Sequence, residues 1–158
     1  MTSKLTGDWN QALKKMDGLN EAILKNLKTA TLQSAIQTKD TLRKHIEDQD
    51  LPWPDHKKRY ANWKKRKKKS LLKWVLTGYS LESMTYKLLE DGLSAFVGML
   101  RTGKRKDGKP PTLIGSVMEY GSVARGIKAR PLFRPTWKEM KPKIQDRYKR
   151  ALAAALKG

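Results

Sequence analysis

Two histidines, His45 and His56, and no cysteine are all this chain offers as imidazole or thiolate ligands and bases. A thiolate nucleophile, a disulfide and a Cys-ligated zinc are therefore excluded, and a His-based metal site has little to draw on. The carboxylates Glu82, Glu90, Asp91 and Glu119 are scattered, and no spacing brings two of them together for acid–base work. No Ser-His-Asp set can be argued. The segment "RTGKRKDGK" has glycines and lysines but not the strand–GxxxxGK[ST]–helix order of a phosphate-binding loop. With no constellation of site residues, no catalytic residue, metal or cofactor is expected, and the chain reads as a non-enzyme.

What the chain has in quantity is cationic chemistry. Its 158 residues carry 35 Lys and Arg against 15 Asp and Glu, a formal charge of +20. Such a field favours nucleic acid, an acidic protein surface or an anionic membrane. Nine of the thirteen residues from Lys57 to Lys69 are Lys or Arg. Lys64, Lys65, Arg66, Lys67, Lys68 and Lys69 could track a phosphate backbone, each contact releasing a counterion. Arg101, Lys104, Arg105 and Lys106, in a polar Gly/Pro/Lys loop that reads as mobile, are further candidates for anion or DNA contact. Tyr60 and Trp63 could stack on bases. The blander alternative is a solvated helix face whose aromatics pack inward. The charge is spread along the chain and no apolar run reaches the ~20 residues of a membrane span, so no membrane partner is expected. The start, "MTSKLTGDWNQALKK", has no apolar run of signal-peptide length, and an intracellular product is the reading.

The elements that carry these residues follow from periodicity. Apolar positions recur at helical intervals from Trp9 to about Ile46, with enough drift for two packed helices or one long bent one, and Gly18 is a possible break. Pro52 and Pro54 end that region, and Asp55 could cap a second helix running from His56 into the basic run. From Ser83 the period changes to two. "SMTYKLLEDGLSAFVGML" predicts a hairpin around Asp91–Gly92, with Met84, Tyr86 and Leu88 on one face and Leu93, Ala95 and Val97 alternating on the second strand, where Phe96 obscures the buried side. "LIGSVMEYG" predicts one or two helical turns closed by Gly121, and "SVARGIKARPLF" an extended or looped stretch. Thr136 and Glu139 form a capping-box pattern for a last helix with Pro142 early in it and Trp137, Ile144, Tyr148, Ala151, Leu152 and Leu156 as its apolar stripe. A single domain is expected over 1–158, divided into an N-terminal helical region (1–50), a basic helical connection (51–80), the hairpin, loop and constrained segment (81–135), and a C-terminal helix (136–158).

The constrained segment is "VMEYGSVARGIKARPLFRP". An ion pair from Glu119 to Arg125 or Arg130 would fix its turn, contributing under ~1 kcal/mol if exposed. Its two boxes are Met118-Glu119-Tyr120-Gly121-Ser122 and Ala129-Arg130-Pro131-Leu132-Phe133-Arg134-Pro135. Followed by an amphipathic helix, they resemble the C-terminal signature of tailed-phage neck proteins, the tail-completion, head–tail joining or virion-morphogenesis family. The signature covers about a fifth of the chain. The upstream order of N-terminal helix, proline-marked basic connection, Thr77–Gly78 step and hairpin is also similar to that family; the Lys57–Lys69 run and the 101–109 loop depart from it.

The resemblance implies an α+β fold, with a small, mainly antiparallel sheet flanked by a long N-terminal helix and a C-terminal helix. It implies a structural subunit of the head–tail junction, present in the virion and assembled in the host cytoplasm. A homo-oligomeric ring, commonly hexameric, would surround the DNA passage and meet neighbouring neck and tail proteins, with non-specific DNA contact in the channel. Glu119, Tyr120, Gly121, Arg130, Pro131, Phe133, Arg134, Pro135 and Trp137 would then be structural or subunit-interface residues, setting the angle at which the last helix leaves. The alternative is a free nucleic-acid-binding protein acting through Lys57–Lys69.

Overall fold

The computed structural model describes residues 9–75, 79–99 and 110–157. The chain is α+β, with a long N-terminal helix, a C-terminal helix and one two-stranded antiparallel sheet. The elements in order are α1 (Trp9–Asp48), α2 (Lys58–Arg66), α3 (Tyr79–Glu82), β1 (Met84–Leu88), β2 (Ala95–Met99), α4 (Pro111–Tyr120) and α5 (Phe133–Lys157). None of the described helices is long and apolar enough to cross a membrane.

The N-terminal pattern resolves as one helix, α1, which runs through Gly18 without a break. From residue 14 to residue 21 every position is exposed, and the packed part begins further on. Threonines are poor helix formers unless their hydroxyls are used. Thr31, Thr38 and Thr41 each donate to the carbonyl four residues back, at 2.9, 2.7 and 2.8 Å.

α5 runs antiparallel along α1, and a polar seam sets their register. Asn26 donates to the Ala151 carbonyl at 3.3 Å, and the Thr31 and Tyr148 hydroxyls meet at 2.5 Å. Arg147 reaches Ser34 at 2.9 Å and also Gln37. At the far end His45 Nε2 lies 3.2 Å from a Glu139 carboxylate oxygen, while its Nδ1 lies 2.7 Å from Asp50.

The hairpin lies on α1. Its register pairs Met84 with Met99, Tyr86 with Val97 and Leu88 with Ala95, so these six share one face and Lys87 and Phe96 share the other. Asp91 and Gly92 are not a two-residue turn. They belong to a longer loop in which Leu89 N–H donates to the Ser94 carbonyl and the Asp91 carboxylate accepts from the N–H groups of Leu93 and Ser94. The core is Leu42, Ile46, Trp53, Trp74, Val75, Met84, Met99 and Leu132. It lies where the C-terminal half of α1, the hairpin, two loops and the start of α5 converge.

Three expectations about helix ends are corrected. Asp55 does not cap α2, which begins at Lys58 without a side-chain cap. α4 has ten residues, longer than one or two turns. α5 begins at Phe133, so Thr136 lies within its first turn, where its hydroxyl donates back to the Leu132 carbonyl at 2.8 Å. The proposed Thr136–Glu139 capping box therefore does not form.

Candidate functional site: a carboxylate-capped joint and two exposed surfaces

The cap on α5 comes from another helix. Glu119, in the last turn of α4, is 6% exposed. Its Oε2 accepts the N–H groups of Leu132 at 2.6 Å and Phe133 at 3.0 Å, and its Oε1 accepts that of Arg134 at 3.1 Å. The next residue, Pro135, has no N–H, and Thr136 N–H already bonds the Leu132 carbonyl. Every donor at the head of α5 is thus matched, and a carboxylate sits at the positive end of the helix dipole. This corrects the expected pairing with Arg125 or Arg130: the Glu119 carboxylate serves backbone donors.

Gly121 makes the approach possible. It ends α4 at φ 78°, and a Cβ there would lie 2.9 Å from both Ala129 N and Ile127 O. The chain loops out through a single bridge between Ser122 and Ile127 and returns, with Arg130 N–H donating to the Met118 carbonyl at 2.6 Å. The two boxes thus lie side by side.

Arg130 holds the joint to the rest of the protein. It is buried, and its Nε donates to Pro54 O at 2.9 Å and an Nη to Asp55 O at 3.1 Å. Burial lowers its pKa from the ordinary value, while the Tyr60 phenol and the Asp55 carboxylate raise it. Two indoles bond consecutive carbonyls beside it: Trp74 Nε1 to Arg130 O at 3.0 Å and Trp53 Nε1 to Pro131 O at 2.6 Å. Trp53 and Trp74 also pack on each other, and Phe133 meets Trp74 edge-on at 5.9 Å. Trp74 sits at φ 70°, a left-handed conformation that costs a bulky residue ~1–2 kcal/mol and is retained here by its buried ring and its bond to Arg130 O. Pro131 is half-buried and Phe133 partly joins the core.

Other residues of the same segment face outward. Tyr120 is 66% exposed, with the Arg134 guanidinium 5.0 Å from its ring centroid. Trp137, one turn along α5, is 57% exposed, so it leaves the apolar stripe expected of it. Tyr, Trp and Arg are the residue types enriched where protein surfaces dock. Trp137 also forms one lip of a groove of about 460 Å³ between α1, α5 and β2.

The second surface is α2. Arg59, Asn62, Lys65 and Arg66 line a shallow open depression, and Lys67, Lys68 and Lys69 continue the exposed charge. Tyr60 and Trp63 stack on each other at 5.5 Å and are partly exposed, so they are neither fully inward nor free platforms.

Lys64 does not belong with the exposed cations. It is 1% exposed, and its ammonium donates to Leu72 O at 3.0 Å and Val75 O at 2.7 Å, pinning the following loop to α2. A third contact, to His56 Nε2 at 3.4 Å, needs a neutral imidazole. Burial lowers the Lys64 pKa and the Arg130 charge lowers it further. The His56 pKa is lowered by burial, then by Lys64 and by Arg130. Arg101, Lys104, Arg105 and Lys106 lie outside the described residues.

Among the described residues no group of three or more His, Asp or Glu is placed to hold a metal ion. The class of molecule defined so far is an α+β protein with an internally braced joint, an exposed aromatic–arginine surface and a basic helix face. No protein family, curated protein or solved structure matches this chain.

Proposed function

We propose that this protein is a non-enzymatic structural subunit of a tailed-phage head–tail junction. In this reading it acts as a neck or tail-completion ring that joins tail to head around the DNA passage. The observation that carries the reading is the Glu119 cap. The two boxes that resemble the neck-protein signature meet in one joint, and that joint has a mechanical consequence. By fixing α4, the 51–55 loop and the head of α5 together, it sets the direction in which α5 leaves and holds Tyr120, Arg134 and Trp137 outward. A ring of identical copies needs such a fixed angle, because each heterologous contact must repeat at one rotation to close. Removing the gene from the phage that encodes it should leave filled heads and finished tails unjoined in negative-stain images. Particles that join normally without it would refute the proposal.

The basic face of α2 favours a second reading, non-specific binding of nucleic acid. It predicts duplex affinity that falls linearly with the logarithm of salt concentration, the slope shrinking by ~0.9 for each phosphate contact removed. A shallow slope, or one unchanged when Lys65, Arg66, Lys67, Lys68 and Lys69 become Gln, would exclude it.

A further inference from the structure

The backbone of α2 lies alongside no other described helix or strand. It is held through its inner side, where the Lys64 ammonium hooks the carbonyls of Leu72 and Val75. Its outer face is free. Arg59, Asn62 and Arg66 stand three, four and seven residues apart, which puts them on one face of the helix. With Lys65 they line the shallow open depression, and all four are exposed. Among the described residues none of the four has a hydrogen bond, an ion pair or a ring contact.

The charge around that face has one sign. No acidic residue stands between Asp55 and Glu82. Lys58, Lys67, Lys68 and Lys69 extend the exposed cations past both ends of the depression. The C-terminus of α2 closes as the Lys68 and Lys69 N–H groups donate back to the Lys65 and Lys64 carbonyls, at 3.0 and 2.9 Å, with Lys68 at φ 48°. Helices commonly place glycine at this position, because a side chain there is strained. Lysine at such a place adds a cation at a conformational cost.

We infer that α2 reads duplex DNA from the major groove, with Arg59, Asn62 and Arg66 meeting base edges and the lysines around them meeting phosphates. The inference rests on the nucleic-acid reading of α2 and goes beyond it, since that reading expects no preferred sequence. Charge selects an anionic partner, and the side chains select the duplex. Arginine pairs with guanine O6 and N7, and asparagine with adenine N6 and N7, both in the major groove. Seven helical residues span about 10.5 Å. That is about three base pairs at a rise of ~3.4 Å. A single strand would need open aromatic faces for its bases. Tyr60 is already engaged, by Trp63 stacked on it at 5.5 Å and by the Lys64 ammonium 5.7 Å from its centroid. Duplex RNA has a deep, narrow major groove that side chains cannot read.

The test uses the purified full chain and short DNA duplexes with a randomised centre. Duplexes recovered by repeated selection should share a preferred adenine or guanine within about three adjacent base pairs. Dimethyl sulfate footprinting of a recovered duplex should show guanine N7, in the major groove, protected and adenine N3, in the minor groove, still reactive. Asn62→Ala and Arg59→Gln, at exposed positions without partners among the described residues, should each weaken binding to that duplex roughly 5- to 150-fold. Their binding to a scrambled duplex should change by about twofold at most, and circular dichroism checks that each is folded. Lys65→Gln should weaken both duplexes alike. Salt-dependent binding with no preferred sequence, protection of adenine N3, or an Asn62→Ala protein that binds the recovered duplex like wild type would overturn the inference and leave the nucleic-acid reading standing. Absence of binding to any nucleic acid would overturn both. So would binding to polyglutamate as tight as to duplex DNA, which would assign the face to an acidic protein surface.

Discussion

Replacing Glu119 with Ala removes the acceptor for three backbone donors at once. Leu132 is fully buried, Phe133 is half-buried and Arg134 is exposed, so water can rescue the third amide but not readily the first two. Two stranded N–H groups at ~1–3 kcal/mol each, with the loss of a charge at the helix head, give a cost of about 3–5 kcal/mol. For a chain of this length that corresponds to a fall in Tm of about 10 °C. Glu119→Gln should cost less, about 1–2 kcal/mol. Its carbonyl oxygen can keep the bonds to Leu132 and Phe133, which share Oε2, while its amide NH₂ then faces the Arg134 N–H. Arg125→Ala, at an exposed position, should change almost nothing. Thermal unfolding followed by circular dichroism measures the ranking, and hydrogen exchange localises it, because protection should fall first at residues 132–134. An Ala variant within ~1 kcal/mol of wild type would refute the cap. An Arg125→Ala variant as unstable as Glu119→Ala would restore the ion-pair account.

Further expectations follow from the same geometry. Lys64→Met should cost about 1–3 kcal/mol, because it leaves the Val75 carbonyl without its ammonium donor and the Leu72 carbonyl with only the long bond from Val75 N–H, while Lys65→Gln stays within ~0.5 kcal/mol in urea titrations. The salt slope of any DNA binding should respond to the second and not to the first. His56 has its pKa lowered on folding, so the unfolded chain binds the extra proton more readily between that lowered value and its ordinary 6.5. The associated stability is therefore present above pH ~6.5 and lost as pH falls through the folded-state pKa, and His56→Gln should flatten that part of the stability–pH curve. No change in the curve would mean that folding does not lower the His56 pKa. Gly121→Ala should destabilise by at least ~1 kcal/mol, since the new methyl would strain the backbone and meet Ala129 N and Ile127 O, and a neutral result would contradict the tight return of the loop.

The elements with strong periodicity were legible in the sequence. The α1 stripe from about Ile23 on, the hairpin strands and the Gly121 stop were readable, because each depends on neighbours a few residues away; the part of the stripe at Met16 is exposed instead. Long-range chemistry was not. The Thr136–Glu139 pattern is a sound local cap, but Glu119 supplies a stronger one from another helix, and nothing in local spacing ranks the two. Lys64 reads as one of nine cations in a run, and only the fold turns it toward the carbonyls of Leu72 and Val75. Spacing does not separate it: Lys67 lies as close to the Tyr60–Trp63 face and stays exposed. Trp137 was misread in the opposite direction: it lies on the periodic stripe of α5, but the slot beside β2 leaves its ring uncovered.

The central claim is that the braced joint serves the assembly of identical copies at a head–tail junction. Cryo-electron microscopy of the neck in intact particles tests it most directly. The account predicts a closed ring of this chain around the DNA path, with α5 held at one angle in every copy. Purified particles that lack the chain, or that carry it as isolated copies away from the junction, would contradict it.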